Sequence, residues 1–339
     1  MKIKPMTKFA ILALSLVLVA CAGGGSEEAG CPAIDGREIN VVATTPMIGE
    51  FVSQVGGENI NLTVLMPPEA NPHTYEPAPQ DAGTIAEADL VFYTGLLYEP
   101  AALVKLLENS ACSTDILSEV GESVFPIEFK EGGHDDHDDH DDHDDEEGHD
   151  DEEGHDDHEG HNHGAYDPHF WFDPSRVAYA AEYIESRLIQ FDPENESSYT
   201  SSADSFVSEL NDLTKQVSEL ISTVPSQNRK LITTHESLGY LEAKFGLEVL
   251  STIIPSLNSA NEISPSDLAG VIDVIEDNNV KVIFIESEAP SVYSETIVAE
   301  TGIKPVTGLY VETLKPGQSY SEFLISNVTL ITENLQDTD

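Results

Sequence analysis

From Arg37 onward, short runs rich in β-branched residues alternate with helical patterns, and one long amphipathic stretch interrupts the alternation. Strand, helix, strand in repeating order implies a parallel sheet with helices on both faces, because a parallel return needs a crossover. Glu38–Thr44 (EINVVAT), Asn61–Leu65 (NLTVL), Leu90–Tyr93 and a run near Thr114–Leu117 read as the strands of a first lobe. Helices over Ile48–Val55, Gln80–Ala88 and Glu99–Glu108 separate them. Arg229–Thr233, Leu247–Ile254, Lys281–Ile285 (KVIFI) and Lys304–Thr307 repeat the pattern, with helices over Ser237–Phe245, Pro265–Asn278, Val292–Thr301 and Ser321–Leu335.

Two helices lie between these halves. Asp173-Pro174 supplies a cap and first turn for Ser175–Ile189. Beyond Asp192-Pro193, Phe206, Leu210, Leu213, Val217, Leu220 and Val224 recur at spacings of four and three, which places them on one helical face. A continuous helix from Pro193 to Val224 would be roughly 48 Å long, enough to run the height of two lobes. The expected fold is therefore α/β, with two lobes of parallel sheet flanked by helices and joined by one long rigid linker helix. The expected boundaries are 37–192 for the first lobe, 193–225 for the helix and 226–339 for the second lobe.

One segment cannot join any core. His134 to His163 contains nine histidines, seventeen carboxylates, three glycines and one asparagine, and it predicts a solvated loop. Imidazole and carboxylate are also good donors for borderline divalent cations. His134, His137, His140, His143, His149, His155, His158, His161 and His163 are thus expected to form an accessory metal loop. A merely solvated acidic loop is the competing reading. The chain carries a net charge of −48, and most of the excess remains without this run. Nucleic acid and anionic lipid surfaces are poor partners for it.

Lys2, Lys4 and Lys8 precede an apolar stretch from Phe9 to Ala20. That stretch suits a signal peptide over residues 1–20 and falls short of the roughly twenty residues a transmembrane helix needs. Leu18-Val19-Ala20-Cys21 resembles the bacterial lipobox, which implies lipidation at Cys21 and a tether over 21–36. An ordinary secretory signal with a chance cysteine is the alternative. The protein is expected outside the cytoplasm, touching the membrane only through its anchor. Cys31 and Cys112 then remain, an even number in an oxidising compartment, and are expected to form a disulfide rather than two buried thiols.

Outside the run there are three histidines, His73, His169 and His235. His73 and His235 fall in loops after predicted strands, where open α/β sheets place ligands. Around all three the sequence resembles a known family. Asn71-Pro72-His73-Thr74-Tyr75-Glu76-Pro77, Asp167-Pro168-His169-Phe170-Trp171-Phe172-Asp173-Pro174 and Thr234-His235-Glu236-Ser237-Leu238-Gly239-Tyr240-Leu241 are similar to motifs of the zinc and manganese substrate-binding lipoproteins of ABC importers. The resemblance covers essentially all of Arg37 to Leu335. It implies that His73, His169 and His235 each supply one metal ligand. The segment Leu309 to Leu314 resembles one where relatives carry an aspartate ligand, which nominates Glu312 as the fourth, with Glu286 and water as alternatives. Asp173 could cap its helix or orient His169, and Tyr75 and Tyr240 would be pocket walls.

Histidine at the third position implies zinc as the transported ion, with manganese possible, since manganese favours oxygen-rich sites. The expected function is a zinc receptor delivering its ion to an ABC permease with its ATPase, as a monomer. A receptor for manganese or another divalent ion is the nearer alternative, and an extracytoplasmic metal buffer or a cell-adhesion protein is the more distant one. No H-E-x-x-H, G-x-S-x-G or P-loop motif is present, so no enzyme is expected.

Overall fold

The computed structural model describes Cys31, Ile34 and residues 36–129, 166–288 and 292–336. The predicted signal segment, Cys21 and the nine histidines of the run lie outside the described residues.

The first half forms a four-stranded parallel sheet in the order β2-β1-β3-β4, with β1 Ile39–Ala43, β2 Ile60–Val64, β3 Leu90–Tyr93 and β4 Leu117–Glu119. In β1 every residue but Asn40 is buried, as a strand covered on both faces requires. The edge strand β2 is mostly exposed. Helices α1 (Pro46–Gly56), α2 (Pro79–Ala86) and α3 (Ala101–Ser110) make the crossovers. Thr45 Oγ1 caps α1 by accepting from the Ile48 amide at 3.2 Å, and Pro46 occupies the first turn, where its missing N–H costs nothing. β4 begins later than the sequence suggests. Ser113 Oγ accepts from the Asp115 amide and closes Thr114–Ile116 into a 3₁₀ turn, so extension starts only at Leu117.

Helix α4 spans Pro174–Phe191 and α5 spans Glu196–Ser222, 27 residues or about 40 Å. The long helix is shorter than the expected Pro193–Val224. Pro193–Asn195 forms a 3₁₀ turn beneath Asp192, whose Oδ2 accepts from Tyr199 Oη and Asn195 Nδ2. The stripe on α5 is buried as read, except that Ile221 replaces the half-buried Leu220.

The second half differs from the first in its sheet. β5 (Lys230–His235) pairs with β6 (Glu248–Ile254), and β7 (Val282–Glu286) pairs with β8 (Lys304–Leu309), each pair parallel. β5 and β7 lie side by side but are stitched by side chains, the Glu286 amide donating to Thr234 Oγ1 and the His235 amide to Glu286 Oε1. Helices α6 (Gly239–Phe245), α7 (Pro265–Asn278), α8 (Val292–Thr301) and α9 (Tyr320–Gln336) complete the fold.

One apolar core runs from β1 and α1 through Trp171 and α5 to β7 and α9. Phe51 of α1 sits at its junction, with ring contacts to Phe206 of α5, Tyr320 of α9 and Phe170. The two halves therefore share a core, and α5 is clamped between α1, α4 and α9. The structure also joins Cys31 to Cys112, whose Cα atoms are 5.1 Å apart, beside a smaller core under α3.

Candidate metal centre

Three loops and the end of one strand bring four side chains to one point between the halves, His235 lying on its strand and not in the loop expected after it. His73 is the middle residue of a 3₁₀ turn, Pro72–Thr74, which Asn71 caps by accepting from the His73 amide at 2.9 Å. His169 leads into the turn Phe170–Phe172, where all three aromatic side chains are buried. That turn is pinned from the other half: Trp171 Nε1 donates to Val311 O at 2.8 Å, and Tyr320 Oη donates to Trp171 O at 2.7 Å. His235 is the last residue of β5, and Glu312 follows β8 by three residues.

One donor atom from each of His73, His169, His235 and Glu312 lies within 4.8 Å of every other. Glu312 Oε1 is 3.1 Å from His73 Nε2 and 2.9 Å from His235 Nε2, and its Oε2 is 3.5 Å from His169 Nε2. His169, His235 and Glu312 are fully buried, and the His73 side chain is only 3 % exposed. His169 Nε2 and His235 Nε2 have no hydrogen-bond partner, although a carboxylate stands close to each. Buried polar atoms left this way are costly unless another group meets them, and a divalent cation is the group that suits these donors.

The outer nitrogens are held differently. His169 Nδ1 is 2.8 Å from Asp167 Oδ1, which also accepts from the His169 amide. His235 Nδ1 is 2.5 Å from Glu286 Oε2, and Glu286 Oε1 accepts from the His235 amide. An acceptor at Nδ1 fixes the tautomer that leaves Nε2 free to bind an ion and raises its basicity. Glu286, the alternative fourth ligand, thus lies behind His235, on the ring's far side from Glu312. Asp167 takes the orienting role considered for Asp173, whose carboxylate instead caps α4 through the Ser175 amide and hydroxyl. Gly239 permits the placement of Asp167, because a Cβ there would come within 2.6 Å of Asp167 Oδ2.

Two tyrosines correct the expected pocket walls. Tyr240 Oη donates to Asp167 O at 2.9 Å, so it braces the His169 segment, whereas Tyr75 turns away to Leu65 O and Asp81 Oδ2. The wall is Tyr98, which the sequence did not single out. Its ring stands edge-on to those of His73 and His169, and its hydroxyl donates to Glu312 Oε2 at 2.9 Å. Its contact with Glu312 crosses 214 residues of chain, and no local motif announces it.

Charge organises the cluster. Burial alone would lower the His169 pKa, but the Glu312 and Asp167 carboxylates override it and raise it to about 9. Burial likewise opposes charge on His235, yet Glu286 and Glu312 hold its pKa well above the ordinary value. Burial would raise Glu312, while the three imidazoles keep its carboxyl well below the usual range. Without an ion, the site holds protons in the positions where a cation would sit.

Relatives match over nearly the full chain. The manganese-binding lipoprotein MntA of Halalkalibacterium halodurans is 22 % identical over 333 residues, covering 96 % of this chain and 97 % of MntA. The high-affinity zinc uptake system protein ZnuA of Bacillus subtilis is 28 % identical over 337 residues, covering 96 % of each. Among solved structures, the periplasmic zinc binding protein TroA from Treponema pallidum superposes with a TM-score of 0.72 at 21 % identity, covering 88 % of this chain and 99 % of TroA. Fold and relatives define the class: a metal ABC transporter substrate-binding protein, not an enzyme. Residues 41–334 match the family described as "Zinc-uptake complex component A periplasmic", and the chain belongs to that family.

Proposed function

We propose that this protein captures zinc outside the cytoplasm through His73, His169, His235 and Glu312 and delivers it to an ABC permease with its ATPase. The observation that carries the reading is the buried convergence of three imidazole Nε2 atoms on one carboxylate. Four donors about 2.1 Å from a tetrahedral ion lie roughly 3.4 Å apart. The His–Glu312 separations are 2.9, 3.1 and 3.5 Å, and one donor from each of the four residues lies within 4.8 Å of the others, which supports their drawing together around an ion. Nitrogen donors in the majority suit zinc, whereas manganese favours oxygen.

Manganese is the second reading, supported by the names of relatives such as the Streptococcus anginosus lipoprotein PsaA, a manganese ABC transporter substrate-binding lipoprotein 26 % identical to this chain. Competition titration followed by native mass spectrometry decides between them. Retention of zinc in manganese excess supports the proposal, and retention of manganese in zinc excess overturns it. The word lipoprotein in relatives' names supports anchoring through Cys21, for which metabolic labelling with a fatty acid, lost in Cys21→Ala, is the test. The His134–His163 run would act as an exchangeable collector beside the tight site, with low affinity per position because ordering a flexible run costs entropy.

A further inference from the structure

Glu288 stands two residues beyond β7 and is only 8 % exposed, yet no Lys or Arg meets it among the described residues. Its carboxylate is used in another way. Oε1 accepts from three successive amides, Val311 at 3.1 Å, Glu312 at 3.2 Å and Thr313 at 3.4 Å. These residues leave the end of β8, so their amides have no strand to pair with. A single buried oxygen gathers them and sets the backbone from which the Glu312 side chain departs.

The backbone of the same residue reaches the opposite half. Asn71 Nδ2 donates to Glu288 O at 3.4 Å and to Ser259 Oγ at 3.0 Å, while Asn71 Oδ1 accepts from the His73 amide. One short chain of hydrogen bonds therefore joins the turn that presents His73 to the turn that presents Glu312.

We propose that Glu288 is a positioning residue that aims Glu312 at the ion and, through Asn71, sets its register against His73. This rests on the reading of Glu312 as a metal donor. Glutamate has one more rotatable bond than aspartate, so the reach of its oxygen depends on how firmly its backbone is held. Tyr98 Oη reaches the tip at Oε2 and the carbonyl of Glu312, and Glu288 alone gathers the amides of Val311, Glu312 and Thr313 that set where the side chain begins.

The test measures zinc affinity by chelator competition on the full chain for Glu288→Ala, Glu288→Gln, Glu312→Ala and the double variant Glu288→Ala/Glu312→Ala. Removing a group that orients a metal ligand costs about 10- to 100-fold in affinity, and Glu288→Ala, which acts on the ligand's backbone, is expected at the lower end, about tenfold. Glu288→Gln keeps a carbonyl acceptor and recovers most of the loss. In the Glu312→Ala background Glu288→Ala has little further effect, because the residue acts through Glu312. Unchanged affinity in Glu288→Ala, or an equal loss with and without Glu312, overturns the proposal. Should Glu288→Ala fail to fold, Glu288→Asp withdraws the acceptor while keeping a carboxyl group, and the same two comparisons apply. If Glu312→Ala alone binds zinc normally, the donor reading itself has failed, and that single variant reveals it.

Discussion

On the proposed reading, protons and zinc compete for the same nitrogens, and their surroundings set where on the pH scale the competition ends. An unperturbed imidazole releases its proton near pH 6.5, so zinc affinity would flatten above about pH 7. Here burial disfavours the charged ring, but Glu312 and Asp167 outweigh it and raise His169 to about 9. The rise from 6.5 to about 9 corresponds to roughly 3 kcal/mol favouring the protonated ring, at about 1.36 kcal/mol per tenfold. Near pH 7 the ring is then free in about one molecule in a hundred, so zinc affinity is about a hundredfold below its alkaline limit. His235, raised by Glu286 and Glu312, adds to the slope. Glu288, raised to about 8 by burial and Glu312, adds a proton released as the cation enters. Affinity should therefore climb by at least about tenfold per unit from about pH 7 to about pH 9, with about one proton or more released per zinc. Stability follows with a definite sign. The folded pKa of His169 lies above its unfolded value, so its contribution to the metal-free fold is full below about pH 6.5 and lost as pH rises through about 9. The gain in melting temperature on adding zinc should widen over that window. Calorimetry in buffers of different ionisation enthalpy counts the protons, and chelator-buffered zinc gives the affinities. Affinity that is flat from about pH 7 to about pH 9, with no proton released, would refute the reasoning. Glu312→Gln should move the profile back toward neutral pH.

Trp171, the chain's single tryptophan, is buried with its ring 5.5 Å from that of His169, so zinc should change its fluorescence and saturate at about one equivalent; no change through saturation would contradict the placement of His169. Deleting His134 to His163 should lower the zinc stoichiometry and leave one tight site, as read by native mass spectrometry. The cut is well placed, because Glu128 and Tyr166 pair as an antiparallel bridge that the remaining residues can close. Reducing the Cys31–Cys112 bond, which spans 81 residues, should cost up to about 4.5 kcal/mol in chemical denaturation and leave zinc affinity unchanged, since the bond lies beside the smaller core and not the histidines. Phe51→Ala should cost about 3–5 kcal/mol, because its ring contacts α5, α9 and Phe170 at the junction of the halves.

What the sequence could reveal follows the range of the interactions. KVIFI reads as a buried strand because its β-branched residues need no partner to be recognised, and β7 starts one residue inside it. The three histidines stood out because the sequence has no others outside the run, and proline and aromatic neighbours mark the turns of His73 and His169, whereas His235 ends β5. The start of β4 was misplaced by a single serine that closes a 3₁₀ turn, a choice between two local structures that sequence pattern does not resolve. The break at Pro193 was visible but read as a helix start, since the Asp192–Tyr199 hydrogen bond that holds the turn spans seven residues. Asp167 was within sight, two residues before His169, where its carboxylate can reach both the amide and the ring. Tyr98, Glu286 and Glu288 act across separations of 23 to 214 residues, and nothing local marks such pairs.

The four candidate donors are held unequally, and on the proposed reading that bears on how an ion would leave. His169 and His235 are each gripped twice by one carboxylate, through the ring and through the amide, and both are sealed from solvent. Glu312 is held by Tyr98 at its tip and by Glu288 at its root. Among the described residues no carboxylate meets His73 Nδ1, and its turn, which opens with Pro72, follows a loop that contains Pro67 and Pro68. Its ties to the opposite half are the Asn71 hydrogen bonds to Ser259 and Glu288 and the carboxylate of Glu312 itself. Because α5 is clamped between helices of both halves, wide separation would break the shared core at high cost. Displacing the His73 turn breaks only a few hydrogen bonds and removes one of four donors. On the proposed reading, displacement of the His73 turn would open the site while α5 and the shared core stay in place, which reconciles a rigid helix with release of the ion.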